Sequence, residues 1–285
     1  MQFVSNFCFV AILMASTIDA QTAARPGGRS LRTGDLPQKA GGNRQLFVAP
    51  DVDHVFPYFL SSSTWTTTFY LTNLEDREIT VGCEFVGTNG EEKPFKFSFS
   101  GTEDPTGFTT SKISRFATES FSTVSTATAL TTAWAYCSSE PRTDRFSGYA
   151  IVRNTAANGT SRDFVTGLHP DSEPVFSVPF LDSAANSTGL VLMNSSLDTD
   201  SSLAFWMFDR DGKDAGNGTL VLKPGNLRVI VLNDAFKTVK SGTLRVTVVE
   251  GSKQITGMAL RTNSAGYAVL APLTPKEAPP AAPPN

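Results

Sequence analysis

Residues 56–92 read FPYFLSSSTWTTTFYLTNLEDREITVGCEFVGTNGEE, and this stretch decides the fold class. Within it Val81, Cys83 and Phe85 alternate with small or polar residues, which is the period of two typical of a half-buried strand. The Asn that closes YLTN and the Asn-Gly of TNGEE are turn-forming residues that end such strands. The same alternation recurs at Phe95, Phe97 and Phe99, at Leu227, Val229 and Val231, and at Leu244, Val246 and Val248. Short alternating runs bounded by Gly, Asn, Asp and Pro predict an all-β sandwich or barrel.

An internal repeat groups these runs into two copies of one unit. The matching segments are VFPYF at 55–59 with SVPFL at 177–181, YLTN at 70–73 with VLMN at 191–194, TNGEE at 88–92 with RDGKD at 210–214, and GYAIVRN at 148–154 with GMALRTN at 257–263. Their order is the same and their spacing is similar. We therefore expect two tandem immunoglobulin-like antiparallel β-sandwiches at residues 46–171 and 172–274. The first copy is the longer because of residues 101–120.

Composition narrows the class of function. The chain has 285 residues, 40% of them hydrophobic, which is enough for two domains with buried cores. Its formal net charge of -3 argues against a nucleic-acid partner, which usually selects a strongly basic face. Two histidines and three cysteines disfavour any enzyme that needs several of them in one site.

The two ends of the chain are expected to lie outside the folded units. The apolar run at 7–15 is too short to span a bilayer but suits a signal peptide over residues 1–20, the alternative being a buried first strand. Residues 21–45 are Gly-, Pro- and Arg-rich and predict a disordered basic linker, and residues 275–285 predict a Pro-rich disordered tail. The protein is expected to be secreted or at the cell surface, with no membrane span after cleavage.

Removal of the signal peptide leaves two cysteines, Cys83 and Cys137. In an oxidising compartment they should pair, and we expect the bridge to join non-adjacent strands of the first sandwich. Two separately buried thiols are the alternative. A zinc site with His54 and His169 is disfavoured because neither the cysteines nor the histidines have metal-ligand spacing.

The polar residues of the sequence are compatible with two kinds of site. A hydrolase would need His54, which follows Asp51 and Asp53, or His169 of the HPD turn, but no G-x-S-x-G motif accompanies them. A calcium site would use Asp209, Asp211 and Asp214, because carboxylates clustered on a turn are suitable oxygen ligands. The equivalent turn TNGEE in the first copy is a plain hairpin, which favours the same role for the aspartate turn.

Carbohydrate binding would use exposed aromatic rings, which stack on the apolar faces of sugars. Trp65, Tyr58 and Tyr136 are the leading candidates, with Trp134 and Trp206 also considered. The alternative is that these rings fill the sandwich cores. Four N-x-S/T sequons, at Asn158, Asn186, Asn194 and Asn217, would be glycosylation sites in a eukaryotic secretory protein and chance matches otherwise.

The stretch at 56–92, together with TTAWAYCSS, FSGYAIVR and GMALRTNSAGYAVLAPL, resembles the tandem β-sandwich repeat of uncharacterised secreted bacterial proteins. That pattern runs FP, WTT, LTN, an Asn-Gly turn, GWA and GxAxFR, and it covers nearly all of residues 54–273. The chain departs from it at Leu74, where Pro is usual, and at Cys83 and Cys137, where plain apolar residues are usual. The resemblance implies the fold and no catalytic residue. We expect a secreted, non-catalytic structural or interaction protein, whose partner is a glycan or a surface protein. The alternatives are a carbohydrate-binding module, with or without calcium, and a hydrolase with an unrecognised site.

Overall fold

The computed structural model describes residues 54–91, 96–99, 102–104, 108–125, 127–170, 175–181, 186–232, 240–263 and 266–270, most of them in strands. The strands of the first half are β1 His54–Ser61, β2 Trp65–Asn73, β3 Ile79–Gly87, β4 Lys96–Phe99, β5 Thr102–Asp104, β6 Phe108–Ile113, β7 Thr118–Val124, β8 Thr131–Glu140, β9 Phe146–Thr155, β10 Ser161–Gly167 and β11 His169–Pro170. Those of the second half are β12 Val175–Leu181, β13 Asn186–Asn194, β14 Ser201–Asp209, β15 Asp214–Leu222, β16 Leu227–Val231, β17 Ser241–Gly251, β18 Ile255–Asn263 and β19 Gly266–Leu270. The predicted signal peptide, basic linker and Pro-rich tail lie outside these residues.

The described strands form four antiparallel sheets, which we number by their order in space. Sheet I has the order β10-β9-β2-β7-β4-β5, sheet II β11-β1-β8-β3-β6, sheet III β16-β13-β18-β19 and sheet IV β12-β17-β14-β15. Strands such as WTTTFYLTN suit this pairing because β-branched and aromatic residues pack well on a pleated surface. The predicted all-β class is thereby confirmed, whereas the immunoglobulin-like type stays a prediction.

The two halves of the chain share one topology. The order β1-β8-β3-β6 in sheet II has its counterpart in β12-β17-β14-β15 of sheet IV, and β10-β9-β2-β7 in sheet I has its counterpart in β19-β18-β13-β16 of sheet III. The two glycine turns found in the sequence share a positive φ, 81° at Gly90 and 79° at Gly212. Only the second is a hairpin between paired strands, because β14 pairs with β15 whereas β3 lies in sheet II and β4 in sheet I, so the hairpin predicted at TNGEE is wrong. The boundary predicted between residues 171 and 172 falls outside the described part of the chain and stays a prediction.

Each half packs its two sheets around an apolar core. In the first half Phe59 and Phe85 of sheet II meet Phe69 of sheet I at ring-centroid distances of 5.2 and 5.7 Å. In the second half Phe176, Leu192 and their buried neighbours join sheet IV to sheet III. These contacts exclude water from the inner faces and supply the main stabilising term of each sandwich.

Sheets II and III also pack against each other, so that the four sheets form a stack in the order I, II, III, IV. One apolar cluster contains residues of sheets I and II together with six from the second half, namely Val191, Met193, Leu227, Val229, Met258 and Leu260. Consequently every residue of β1 from Val55 to Ser61 is buried. The alternating pattern predicts one solvent-exposed face for each strand. The structure differs at β1 because the second half of the chain covers that face.

Two turns interlock where sheets II and III meet. The Trp134 Nε1 group donates a hydrogen bond of 2.9 Å to the carbonyl oxygen of Gly225, and the Leu227 amide donates one of 3.0 Å to that of Thr88. A Cβ atom added to Gly225, which has φ 67°, would lie 2.7 Å from the Cα of Gly90. Glycine is thus required at this close approach.

Among the described residues, no helix has the length and apolar character needed to span a bilayer.

Candidate functional site

The aromatic residues selected from the sequence lie mostly in the interior. Tyr58 is 1% exposed and Trp65 is 4% exposed. The ring of Tyr58 stacks on Phe164 at 6.2 Å, and that of Trp65 contacts Tyr267 at 6.1 Å. Burial raises the pKa of the Tyr58 hydroxyl, with a smaller effect of Tyr267. Both rings lie where sheets I, II and III converge, and the structure does not offer them for stacking on a sugar.

Tyr136 and the remaining tryptophans are placed differently. Tyr136 is half-buried on β8, and its hydroxyl donates a hydrogen bond to the carboxylate of Glu84 on β3. Trp134 is fully buried against the second half. Trp206 is half-buried on β14, and its register partners are Asn217 and Arg245. Of these rings, only Trp206 lies on the outer surface of a terminal sheet of the stack.

The aspartate turn between β14 and β15 uses its carboxylates to hold the backbone. Asp209 Oδ1 accepts hydrogen bonds of 2.9 Å from the amides of Asp211 and Lys213. Asp214 Oδ1 accepts one of 2.9 Å from the amide of Gly216. In the part of the chain that the structure describes, no three His, Cys, Asp or Glu residues are grouped so as to hold a metal ion. The calcium site therefore stays a prediction, and the geometry is that of a hairpin turn with Asx caps.

The two histidines do not form one site. His54 pairs with Pro170, and His169 pairs with Val55, so strand alternation places the two imidazoles on opposite faces of sheet II. The His54 ring packs against Phe146 at 4.5 Å. Burial lowers the pKa of His169, whose imidazole is therefore neutral at neutral pH.

The disulfide is present, but it joins adjacent strands. Cys83 on β3 and Cys137 on β8 are direct register partners in sheet II, with Cα atoms 4.1 Å apart. The predicted pairing is confirmed, and the expectation of non-adjacent strands is wrong. Sequence spacing does not report which strands become neighbours, and here β8 inserts between β1 and β3.

The repeated asparagines have a larger structural role than turn formation. Asn73 and Asn194 are both fully buried. Asn73 Nδ2 donates to the carbonyls of Arg77, Ile113 and Ser114, and Asn194 Nδ2 donates to those of Thr199, Leu222 and Lys223. Each side chain thus ties the end of one strand to the loop that follows it and to the end of a strand in the other sheet of the same half, at equivalent places in the two halves.

The outer face of sheet I carries a feature that the sequence interpretation missed. Tyr70 and Tyr149 are register partners on β2 and β9, and their rings stack at 4.7 Å with an interplanar angle of 15°. Cross-strand hydroxyl pairs lie on the same sheet face: Thr68 with Ser122 at 2.8 Å, Thr72 with Thr118 at 2.8 Å, and Thr155 with Ser161 at 3.2 Å. The alternation in WTTTFYLTN already places Thr66, Thr68, Tyr70 and Thr72 on one face. The pairing with Tyr149 depends on the strand register, which the sequence did not supply.

The charges on this face compensate one another. The guanidinium of Arg153 on β9 makes hydrogen bonds of 2.9 and 2.7 Å to the two carboxylate oxygens of Asp163 on β10. These hydrogen bonds lower the pKa of Asp163. The pair is solvent-exposed and contributes little to stability, yet it leaves this part of the sheet without net charge.

The structure separates the sequons that it describes. Asn158 and Asn217 are exposed, whereas Asn194 is enclosed by its hydrogen bonds. The side chain of Asn186 lies outside the described part of the molecule. Whether any sequon is glycosylated stays a prediction.

Comparison with known proteins shows no family. No family model matches the chain, and no curated protein matches it. One solved structure that matches is a Bacteroides uniformis beta-glucuronidase 2 covalently bound to cyclophellitol-6-carboxylate aziridine, with 12% sequence identity and a TM-score of 0.18, covering 73% of this chain and 26% of that chain. Another is a beta-glucuronidase from glycoside hydrolase family 2, with 7% sequence identity and a TM-score of 0.16, covering 76% of this chain and 23% of that chain. The chain spans about a quarter of the length of these solved chains. TM-scores of 0.18 and 0.16 do not indicate a shared fold or function.

Proposed function

We propose that the protein is an exported, non-catalytic binding protein that acts outside the cytoplasm, in the extracellular space or at the cell surface. The observation that carries this proposal is the four-sheet stack, in which sheets II and III are covered on both sides and sheets I and IV each present one broad face to solvent. Such a stack holds its two end faces in a fixed relation and suits recognition by a surface rather than by a cleft.

Two further features support the proposal. The buried Cys83–Cys137 bridge is typical of proteins that mature in an oxidising compartment. The two imidazoles lie on opposite faces of one sheet, an arrangement in which neither can assist the other in acid–base chemistry.

Export is tested by expressing the full chain in a bacterial host, fractionating the cells and labelling free thiols without reduction. We expect the protein outside the cytoplasm with Cys83 and Cys137 protected from the label. Recovery from the cytoplasm with both thiols reactive would refute the export part of the proposal.

The binding part is tested by mixing the oxidised protein with isolated cell-envelope fractions. Two charge variants identify the face: Ser147→Arg on the outer side of sheet I and Thr219→Arg on the outer side of sheet IV, both exposed positions. Saturable retention that one variant abolishes supports a face-mediated interaction, and the other variant is its matched control. Retention unaffected by both variants, or no retention, contradicts it.

A further inference from the structure

The outer face of sheet I differs from the equivalent face of sheet III in the residue types at one pair of positions. The positions of Tyr70 and Tyr149 correspond to those of Val191 and Met258, which are likewise register partners. Val191 is 1% exposed and Met258 is 0% exposed because the first half of the chain covers them, whereas Tyr149 is 42% exposed. Where this position contacts protein it is apolar, and where it faces solvent it is aromatic, with Val165 exposed beside it and hydroxyl pairs farther along the same sheet face.

Tyr149 stays 42% exposed although Tyr70 stacks against its ring. Tyr70 covers the side of Tyr149 that points to β2. On the opposite side lies β10, where the register partner of Tyr149 is Gly167. A Cβ atom added to Gly167 would meet the His169 imidazole, with Nε2 at 3.4 Å, and, apart from the adjoining residues Thr166 and Leu168, no other group of the described chain within 4 Å. We call this space, bounded by the Tyr149 ring, the Gly167 backbone and the His169 imidazole, the Tyr149 slot.

The chemistry of the slot matches a hydroxylated, uncharged ring. The face of a phenol ring packs against the C–H groups of a sugar, and the edge of the sugar then presents hydroxyl groups to nearby polar atoms. His169, neutral because burial lowers its pKa, offers one nitrogen donor and one acceptor. The ion pair of Arg153 with Asp163 leaves the surrounding surface without a net charge that would select an ionic ligand.

We propose that the Tyr149 slot binds one sugar ring of a neutral polysaccharide, while the hydroxyl pairs of the same sheet face bind the adjoining sugars. This inference rests on the proposed binding function and names its ligand class and site. The site is distinct from the rings chosen from the sequence, since Trp65 and Tyr58 lie in the interior. A second copy of this chain is the less favoured occupant, because protein covers an apolar pair at the equivalent position in sheet III.

The test is affinity gel electrophoresis of the full oxidised chain in gels that contain a neutral polymer: hydroxyethylcellulose, barley β-glucan, xylan or galactomannan. Alginate serves as the anionic comparison. We expect retardation by at least one neutral polymer and an apparent affinity at least about tenfold lower in Tyr149→Ala, since a stacked ring is the main contact. Tyr149→Phe keeps the ring and should keep most of the affinity.

A second variant removes the space instead of the ring. Gly167→Val fills the slot, and because the φ of Gly167 lies outside the positive range, the substitution is compatible with the strand. It should abolish retardation while the unfolding midpoint stays near that of the unmutated protein. Trp206→Ala, on the outer face of sheet IV, is the matched aromatic control and should bind as the unmutated protein does.

Retardation lost in Tyr149→Ala and in Gly167→Val but kept in Trp206→Ala supports the proposal. Retardation by none of the neutral polymers overturns it, as does retardation that both slot variants retain. Self-association that depends on Tyr149, without retardation by any polymer, would show that this face binds a second copy of the chain. That result would overturn the proposal that it binds a polysaccharide. In those cases the proposed binding function still stands if one of the two charge variants abolishes retention by cell-envelope fractions. Failure of the polysaccharide proposal can therefore be distinguished from failure of the binding function.

Discussion

The contact between sheets II and III can be tested through the Trp134 side chain. Trp134 is fully buried, and its Nε1 group donates to the Gly225 carbonyl oxygen across the interface. Trp134→Phe keeps an aromatic ring but removes the donor, which leaves a buried carbonyl oxygen without that partner at a cost of about 2 kcal/mol. The smaller ring also leaves unfilled volume worth about 1 kcal/mol. We therefore expect a loss of about 3 kcal/mol, which is roughly a hundredfold in the folding equilibrium.

The assay is equilibrium unfolding in urea under non-reducing conditions, followed by far-UV circular dichroism so that the lost tryptophan does not alter the signal. Trp206→Phe is the matched control, because that ring is half-buried on an outer face, and it should change stability by about 0.5 kcal/mol or less. Gly225→Ala should also destabilise, since its Cβ would lie 2.7 Å from the Cα of Gly90.

One core cluster contains residues from both halves, so we also expect a single unfolding transition. Equal losses in Trp134→Phe and Trp206→Phe would refute the interface hydrogen bond as a stabilising contact. Two separate transitions, with Trp134→Phe shifting neither, would show that the two sandwiches unfold independently and that the shared core is wrong.

Three further predictions concern other parts of the fold. Replacing Cys83 and Cys137 together by Ala should lower the free energy of unfolding by about 4 kcal/mol, because the unfolded chain regains the entropy of a loop closed across a sequence separation of 54 residues. Urea unfolding measures this loss, and an unchanged midpoint would contradict a formed bridge. Because burial lowers the pKa of His169, the unfolded chain takes up its proton at a higher pH than the folded chain. Stability should therefore fall as the pH drops through about 6.5 toward the folded pKa, and His169→Gln should reduce this slope; equal slopes would exclude that cause. Asn73→Ala and Asn194→Ala should each lower the free energy of unfolding by at least about 2 kcal/mol, because each leaves buried backbone carbonyl groups without their hydrogen-bond donor. Thermal or urea unfolding measures this, and destabilisation by only one of the two variants would contradict an equivalent role of the two asparagines.

Much of the local structure could be read from the sequence because it depends on neighbouring residues. Alternation at Val81, Cys83 and Phe85 identifies a strand, and the structure has β3 there. The Asn-Gly and Asp-Gly pairs identify turns, and Gly90 and Gly212 do adopt positive φ. Only the Asp-Gly turn joins strands that pair, since the chain passes from sheet II to sheet I after the Asn-Gly turn. Cysteine pairing followed from there being two cysteines after the expected cleavage.

The candidate site was less predictable because a binding face needs knowledge of strand register and coverage. Tyr70 can be placed on an outward-facing row from its own strand. Its partner Tyr149 and the open position at Gly167 come from β9 and β10, which lie far along the chain and become neighbours only through sheet order. The sequence suggests Trp65 and Tyr58 as exposed rings, but both are buried because three sheets converge on them.

The sequence by itself determined the β class, the repeated unit, its turns and the identity of the bridged cysteines, because each of these follows from local periodicity, turn chemistry or counting. Tertiary structure alone decided that the two sandwiches stack and that β8 brings the cysteines onto adjacent strands. It also decided that Val191 and Met258 are covered while Tyr149 stays exposed. The physical reason is that alternation tells which side chains share a face of a strand, whereas the free energy that covers a face comes from distant segments packing against it.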